Sequence, residues 1–525
     1  MLKKQRCLKK RLWGVLLCIL CVCLSGCSPH AAELPQTDAD TGSARTHFSC
    51  LIEQFASAQP ELDSAWFQAL AEKWNVEISL TCIPTLDFVD RLSYLLTTDD
   101  LPAIIMTNNT MMQSGVLSRE IESGTFWDLE PYINDYPDLL AYMGQAALEN
   151  AKINGKLYGL PRLRSLERNS ILYRKDWADS LNLSEPRTLE DLYQMILAFQ
   201  QDDPDGNGEN DTRGLVDCWK TWSNIGWNGI QMLTVIYGGP NGWAFDRGTM
   251  QPDFLSDAWL SSLAFFRRLH HDGLLNEDFS ILNAEQRRLS ITTGNVGVEF
   301  CVMDDIITLS TLLKQTDPEA KLAIMPLLSV CEGEEPRLNS TTGNNGLLLF
   351  SKKGNMGIAT EEELRLILSI YNDFCTPEGQ DFLLNGIEGI HYDQDEEGKH
   401  AILAENGSSL LSAQQGDFAM LLPIQSYERI GSAPDLIEYV HMEQAKRSPY
   451  LVQDASMGLL SDTYIQKKKK LDQIIYEASM RYILEEIEEE DYWAACAQWR
   501  LAGGDDVIAE YTEQYLALHP AEGKR

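Results

Sequence analysis

Residues Thr46 to Ile52 (THFSCLI), Ser64 to Lys73 (SAWFQALAEK) and Val76 to Cys82 (VEISLTC) follow one another closely, and their apolar patterns differ in period. The first is an apolar run of strand length. The second reads as an amphipathic helix, and the third alternates apolar positions as a strand does. Phe88, Leu92, Leu95 and Leu96 then recur at helical spacing until Asp99-Asp100-Leu101-Pro102 breaks the pattern. Ala103 to Met106 is a short buried-strand run ending in Thr107-Asn108-Asn109. Strand, helix, strand, helix, strand opens an α/β sheet. Ligands of such sheets gather outside the carboxyl ends of the strands. Asn108 and Asn109 are therefore candidate ligand contacts, with plain turn chemistry as the alternative.

The 525 residues include 43 basic and 78 acidic ones, a formal charge of −35, which is unsuited to nucleic acid and is repelled by anionic membrane surfaces. The length calls for two or more folding units, or one large two-lobed body. Of twelve cysteines, five lie in the first 27 residues; the other seven are widely spaced without a CxxC pair. Neither a zinc site nor a disulfide framework is readable from them, and most stand among apolar neighbours as small core residues do.

Lys3, Lys4, Arg6, Lys9, Lys10 and Arg11 precede an apolar run from Leu12 to Val22 that is too short to span a membrane. The run closes on Leu24-Ser25-Gly26-Cys27, which resembles the bacterial lipobox. That resemblance implies cleavage before Cys27 and a diacylglyceryl group on its sulfur, holding the chain at the outer face of a membrane. Residues 1–26 are then a lipoprotein signal peptide and residues 27–45 a polar, lipidated tether. The alternative is an ordinary signal peptide with an incidental cysteine.

Farther on, Asp128 to Ile133 is expected to open a helix, and Ile153 to Arg162 a turn running into a strand. Thr188 with Asp191 three residues later is a capping-box pattern starting a helix that runs to Phe199. Several motifs stand in order: Lys156-Leu-Tyr-Gly-Leu-Pro161, Tyr173-Arg-Lys-Asp-Trp177, the Pro186–Thr188 helix start, and Asp203 to Thr212 (DPDGNGENDT). They continue with His271 to Phe279, Thr293 to Gly297, Gly386 to Tyr392 and Trp499 to Ile508. Together they resemble the extracellular solute-binding lipoproteins of ABC importers (family 1), in particular the long, carbohydrate-directed LplA-like branch of Gram-positive bacteria. The resemblance implies a class II periplasmic-binding-protein fold: two α/β lobes joined by several chain crossings, with a ligand cleft between them. It places crossings near Pro161, near Met325-Pro326 and near Gly389. Lobe 1 is then 46–162 with 327–388, and lobe 2 is 163–326 with 389–525. It further implies an oligosaccharide or similar ligand, ABC permease subunits as partners, and a monomer.

Asp203, Asp205, Asn207, Glu209 and Asp211 carry the spacing of an EF-type calcium loop, with Gly208 at the sixth position. Gly214 stands at the twelfth position, where a bidentate glutamate is usual. A structural calcium and a simple Asp/Asn/Gly turn are the two readings. Trp219, Trp222, Trp227 and Trp243 fall within 25 residues, interleaved with Gly, Asn and Ser. Flat aromatic faces with amides at their rim suit sugar rings, so Trp222, Trp227 and Trp243 are candidates for the cleft, the alternative being core packing. Phe300 is a further candidate wall. Arg162 and Arg164, beside the first crossing, suit uronate carboxylates or sugar hydroxyls, or else an interlobe ion pair. His391 and Tyr392 follow the expected third crossing and are candidates on that ground.

G-x-S-x-G, H-E-x-x-H, Walker and G-x-G-x-x-G elements in a usable context are absent, and the expectation is a binding protein without catalysis. A lipid-anchored hydrolase and a surface carbohydrate sensor or adhesion module are the competing classes.

Overall fold

A computed structural model describes residues 45–55, 59–98, 100–112, 114–218, 228–282, 284–354, 356–394, 400–403, 407–429 and 433–521. The folded body is Thr46–Arg525. Cys27 lies outside the described residues, as do Trp219, Trp222 and Trp227.

Fifteen strands are described: β1 Thr46–Gln54, β2 Val76–Pro84, β3 Ile104–Met106, β4 Gly159–Leu163, β5 Asn169–Arg174, β6 Arg213–Leu215, β7 Trp243–Asp246 and β8 Thr249–Pro252. The rest are β9 Val296–Val302, β10 Leu322–Ile324, β11 Leu338–Asn339, β12 Asn344–Phe350, β13 Tyr392–Gln394, β14 His400–Ile402 and β15 Leu451–Val452. They form two main sheets. The first has the order β2-β1-β3-β12-β4 and the second β10-β5-β9-β6. Both are mixed: β1 runs parallel to β2 and β3, while β12 is antiparallel to β3 and β4. In the second sheet β9 is antiparallel to β5 and parallel to β6.

The first sheet rests on an alternation of elements read directly from period. β1 contributes Leu51 and Ile52 to a core that also holds Trp66, Phe67 and Leu70 of the helix Ala65–Lys73. The helix Glu361–Phe374 adds Leu364, Ile367, Leu368 and Tyr371, with Thr360 and Glu363 closing a capping box at its start. Trp66 is fully buried, stacked 5.4 Å from Phe382; burying a ring of this kind is worth about 3 kcal/mol. The second core packs Trp177, Phe199 and Trp259 with Phe266 and Phe300. Its outer helices are Asp462–Ile483, Glu489–Trp499 and Asp505–Leu518.

One expectation needs correction. Asp128 to Tyr132 is turn and extended chain, a single 3-10 turn spans Ile133–Asp135, and the helix starts at Pro137. Pro131 tolerates a first helical turn, but Pro137, whose missing N–H is harmless at that position, occupies it instead. The expected lobe boundary at 388/389 does not coincide with a change of core. Leu411, Phe418, Leu421, Leu422 and Ile424 pack in the first core, and Val440 joins Leu172 and Ile306 beside the second sheet. The chain therefore passes from the first core to the cluster beside the second sheet between Ile424 and the helix Pro434–Arg447.

Candidate functional site: the facing edges of two sheets

The strand directions gather the connecting segments at one edge of each sheet. On the first sheet that edge carries the carboxyl ends of β1, β2, β3 and β4 and the start of β12: Phe55, Thr85, Thr107-Asn108, Arg164 and Asn344-Asn345. On the second it carries the start of β5 and the ends of β9 and β6: Arg168, Met303-Asp304 and Asp217-Cys218.

Crossing segments join the two edges side by side. Arg164 donates its backbone N–H to Gly343 O (2.9 Å), and Thr341 donates to Leu166 O (2.9 Å) and, through its hydroxyl, to Ser165 O (2.8 Å). β11 pairs with β15 in parallel register, and Asn169 Nδ2 donates to Asn339 O at 3.0 Å. Asn241 Nδ2 donates to both Ser340 O and Val452 O. Backbone pairing of this kind holds the crossings together while each lobe keeps its own core.

On the first lobe Asn108 donates to Glu53 Oε2 (3.0 Å) and accepts from Met111 N (3.0 Å), capping the short helix Asn109–Met112. Asn108 and Asn109 are both half-buried. Gly346, at φ +84, lets β12 approach so closely that a Cβ there would stand 2.3 Å from Thr107 O. That approach delivers Asn345 O and Thr107 O to Arg162 Nη1, at 2.6 and 3.1 Å. Burial pushes the Arg162 guanidinium down to about 9, with Arg164 adding repulsion and Glu53 opposing both. Burial also lowers Arg164, to about 10, with Arg168 adding to the effect and Asp304 and Tyr427 opposing it. Arg168 makes a bidentate pair with Asp304, at 2.7 and 2.8 Å. Glu53 is almost fully buried and burial raises its carboxyl, against the hydrogen bond from Asn108 and the charge of Arg162.

No family model matches the chain. It is 27% identical over 497 residues to lipoprotein LipO of Bacillus subtilis (strain 168), covering 94% of this chain and 96% of LipO. It is 28% identical over 506 residues to the polygalacturonan/rhamnogalacturonan-binding protein YtcQ of the same strain, covering 96% and 98%. Among solved structures, the ABC-transporter substrate-binding protein FusA of S. pneumoniae in complex with kestose superposes with a TM-score of 0.65 at 17% identity, over 91% of this chain and 100% of FusA. A FusA EF-hand mutant in complex with fructo-nystose superposes with a TM-score of 0.62 at the same identity and coverage. The chain is thus similar over nearly its whole length to LipO and YtcQ, and it shares the fold of the solved substrate-binding protein FusA.

The remaining sequence-predicted residues fall in four places. Trp243, half-buried, stands edge-on to Tyr511 at 4.9 Å and belongs to the β7–β8 hairpin beside β15. Its backbone N–H donates to Asp454 Oδ1 (3.2 Å), a residue that follows β15. Trp222 and Trp227 lie outside the described residues. Phe300 is corrected: it sits mid-strand in β9, fully buried, 5.8 Å from Phe266, with no face left for a ligand. His391 is corrected on the same ground. It is wholly buried, accepts from Ile387 N (3.0 Å), meets Gln414 Oε1 (3.0 Å), and burial lowers its imidazole. Tyr392 is buried beside it, with its hydroxyl on Asp381 Oδ2 at 3.3 Å.

In the acidic loop, Asp203 accepts from Asn207 N and Gly208 N (3.1 and 3.0 Å), and Asn207 Nδ2 bridges Asp205 Oδ2 and Asp211 Oδ1 (3.0 and 3.1 Å). Glu209 donates its backbone N–H to Asn207 Oδ1. Asp203, Gly206 and Gly208 have positive φ, as a tight oxygen-lined loop requires. The missing twelfth-position glutamate has a steric cause: a Cβ on Gly214 would stand 2.0 Å from Ile196 O.

Residues that sequence reasoning missed include Glu53, Phe55, Arg168 and Asp304. Phe55, 49% exposed at the end of β1, donates its N–H to Asp417 Oδ2 at 2.9 Å. A carboxylate inside an apolar strand, Glu53 in FSCLIEQF, was the available signal.

Proposed function

We propose that the chain captures an oligosaccharide between its two lobes and delivers it to the membrane subunits of an ABC importer. The carrying observation is that two separately cored mixed sheets are joined at polar edges by paired crossing segments. The names of YtcQ and FusA, as binding proteins of polygalacturonan/rhamnogalacturonan and of a fructooligosaccharide transporter, point the same way. Lobe 1 in this reading is 46–163 with 344–424, and lobe 2 is 169–324 with 434–521. Delivery needs no chemistry: ligand favours the closed arrangement by differential contact alone. Asn108, Asn109, Arg162 and Arg164 carry ligand contacts in this reading; Trp222 and Trp227, outside the described residues, stay candidates on sequence grounds. Trp243 serves the hinge side.

A structural calcium belongs to the same reading. Side-chain oxygens of Asp203, Asp205, Asn207 and Asp211 with the Glu209 carbonyl would supply an all-oxygen set of the kind hard cations take. Burial raises the Asp205 carboxyl, and Asp203 and Asp211 add like-charge repulsion that a cation would relieve. Its effect would be to pin the turn between the helix Leu189–Gln201 and β6. No described helix is long and apolar enough to cross a membrane, and attachment rests on a lipid at Cys27.

The test is calorimetry against an oligosaccharide panel, with mass spectrometry of the sugars afterwards. Saturable binding with the sugar intact supports the receptor. Cleavage products would move the assignment to a hydrolase, and absence of binding across the panel would overturn the reading.

A further inference from the structure

Three arginines lie within seven residues at the first crossing, Arg162, Arg164 and Arg168, and they differ in what neutralises them. Arg168 is satisfied by its bidentate pair with Asp304. Arg162 is 6% exposed and spends its Nη1 on two backbone carbonyls, while its Nε is buried without a hydrogen-bond partner. Arg164 is half-buried, and its guanidinium Nη1 donates to its neighbour's carbonyl, Leu163 O, at 2.7 Å. Among the described residues neither Arg162 nor Arg164 has a carboxylate within ion-pair distance. The acidic groups nearest in effect are Glu53 on the Arg162 side and Asp304 on the Arg164 side. Glu53 is already engaged with Asn108, and Asp304 with Arg168.

The arrangement leaves two desolvated, mutually repelling cations at the carboxyl edge of the first sheet. A neutral sugar offers them only hydroxyl oxygens. A carboxylate offers two anionic oxygens matched to the guanidinium fork, and a charge-assisted bidentate bond is roughly twice as strong as a neutral one.

We propose that Arg164, backed by Arg162, receives the carboxylate of an acidic oligosaccharide, one built with hexuronate residues. This rests on the receptor reading above and names the ligand class within it.

The experiment compares hexuronate trisaccharides with their methyl esters, the same skeletons without charge, by calorimetry on the full chain. The wild type is expected to bind a free acid at least tenfold more tightly than its ester. In Arg164→Gln the acid and ester should fall within about threefold of each other, and Arg164→Lys, which keeps charge without the planar fork, should lie between. Equal binding of acid and ester by the wild type, or a preference surviving in Arg164→Gln, overturns the inference. If only neutral hexose oligosaccharides bind, the inference falls and the receptor reading stands; if no saccharide binds, the receptor reading falls as well. Should Arg164→Gln fail to fold, as its melting curve would reveal, the acid-against-ester comparison on the wild type decides alone.

Discussion

Gly346→Ala tests how the first lobe's edge is built. Gly346 sits at φ +84 within the β12 irregularity, between Asn344 and Leu347. Any L residue there adopts a left-handed conformation, at about 1–2 kcal/mol. The new Cβ would also meet Thr107 O at 2.3 Å, Thr107 C at 2.6 Å and Asn108 Cα at 2.8 Å. These are backbone atoms, so relief requires β12 and the end of β3 to separate by several tenths of an ångström. The Thr107 hydroxyl both accepts from Leu347 N (2.8 Å) and donates to Leu347 O (3.0 Å), and Arg162 bonds Thr107 O. Loosening one such hydrogen bond costs about 1 kcal/mol. Together the expected loss is about 3 kcal/mol, read by urea unfolding, and ligand affinity should fall with it because Asn108 and Arg162 move. A loss below about 1 kcal/mol with unchanged affinity would refute the close-approach argument.

Calcium added to chelator-stripped protein should raise the melting temperature, and Asp203→Ala with Asp205→Ala should abolish the rise; an equal rise in the double variant would remove the loop as the site. Asp454 is raised to about 6, first by burial, against hydrogen bonds from Ser456 and Trp243. A carboxyl raised in the fold contributes stability that is full below its unfolded pKa near 4 and is lost as pH rises through about 6. Asp454→Asn should therefore gain stability relative to wild type between pH 5 and 8, measured by denaturant titration at each pH; a gain independent of pH would contradict this. Phe300→Ala should destabilise by about 3–5 kcal/mol through the cavity it leaves, while the folded variant keeps its ligand affinity in calorimetry. Cys27→Ala should release the chain into the medium with affinity unchanged, as fractionation followed by the same calorimetry would read out.

Period and breakers alone located β1, β2, β3 and the helices between them to within a few residues, because each element's apolar face is written locally. The Thr188–Asp191 cap was legible for the same reason: its two hydrogen bonds span three residues. The acidic loop could be recognised from its spacing, but the cause of its missing glutamate could not, since Ile196 meets Gly214 only when β6 packs on its helix. Phe300 and His391 were misjudged because a single aromatic or histidine looks the same on a cleft wall as in a core; their neighbours Phe266 and Gln414 come from distant segments. The change of core falls after Ile424 and not at Gly389, whose turn looks the same in sequence as a lobe boundary would. Sequence by itself determined the opening strands and helices, the charge and the resemblance. Tertiary structure decided which arginine is already paired, because Asp304 reaches Arg168 across 136 residues of chain, and charge compensation depends on distance in space.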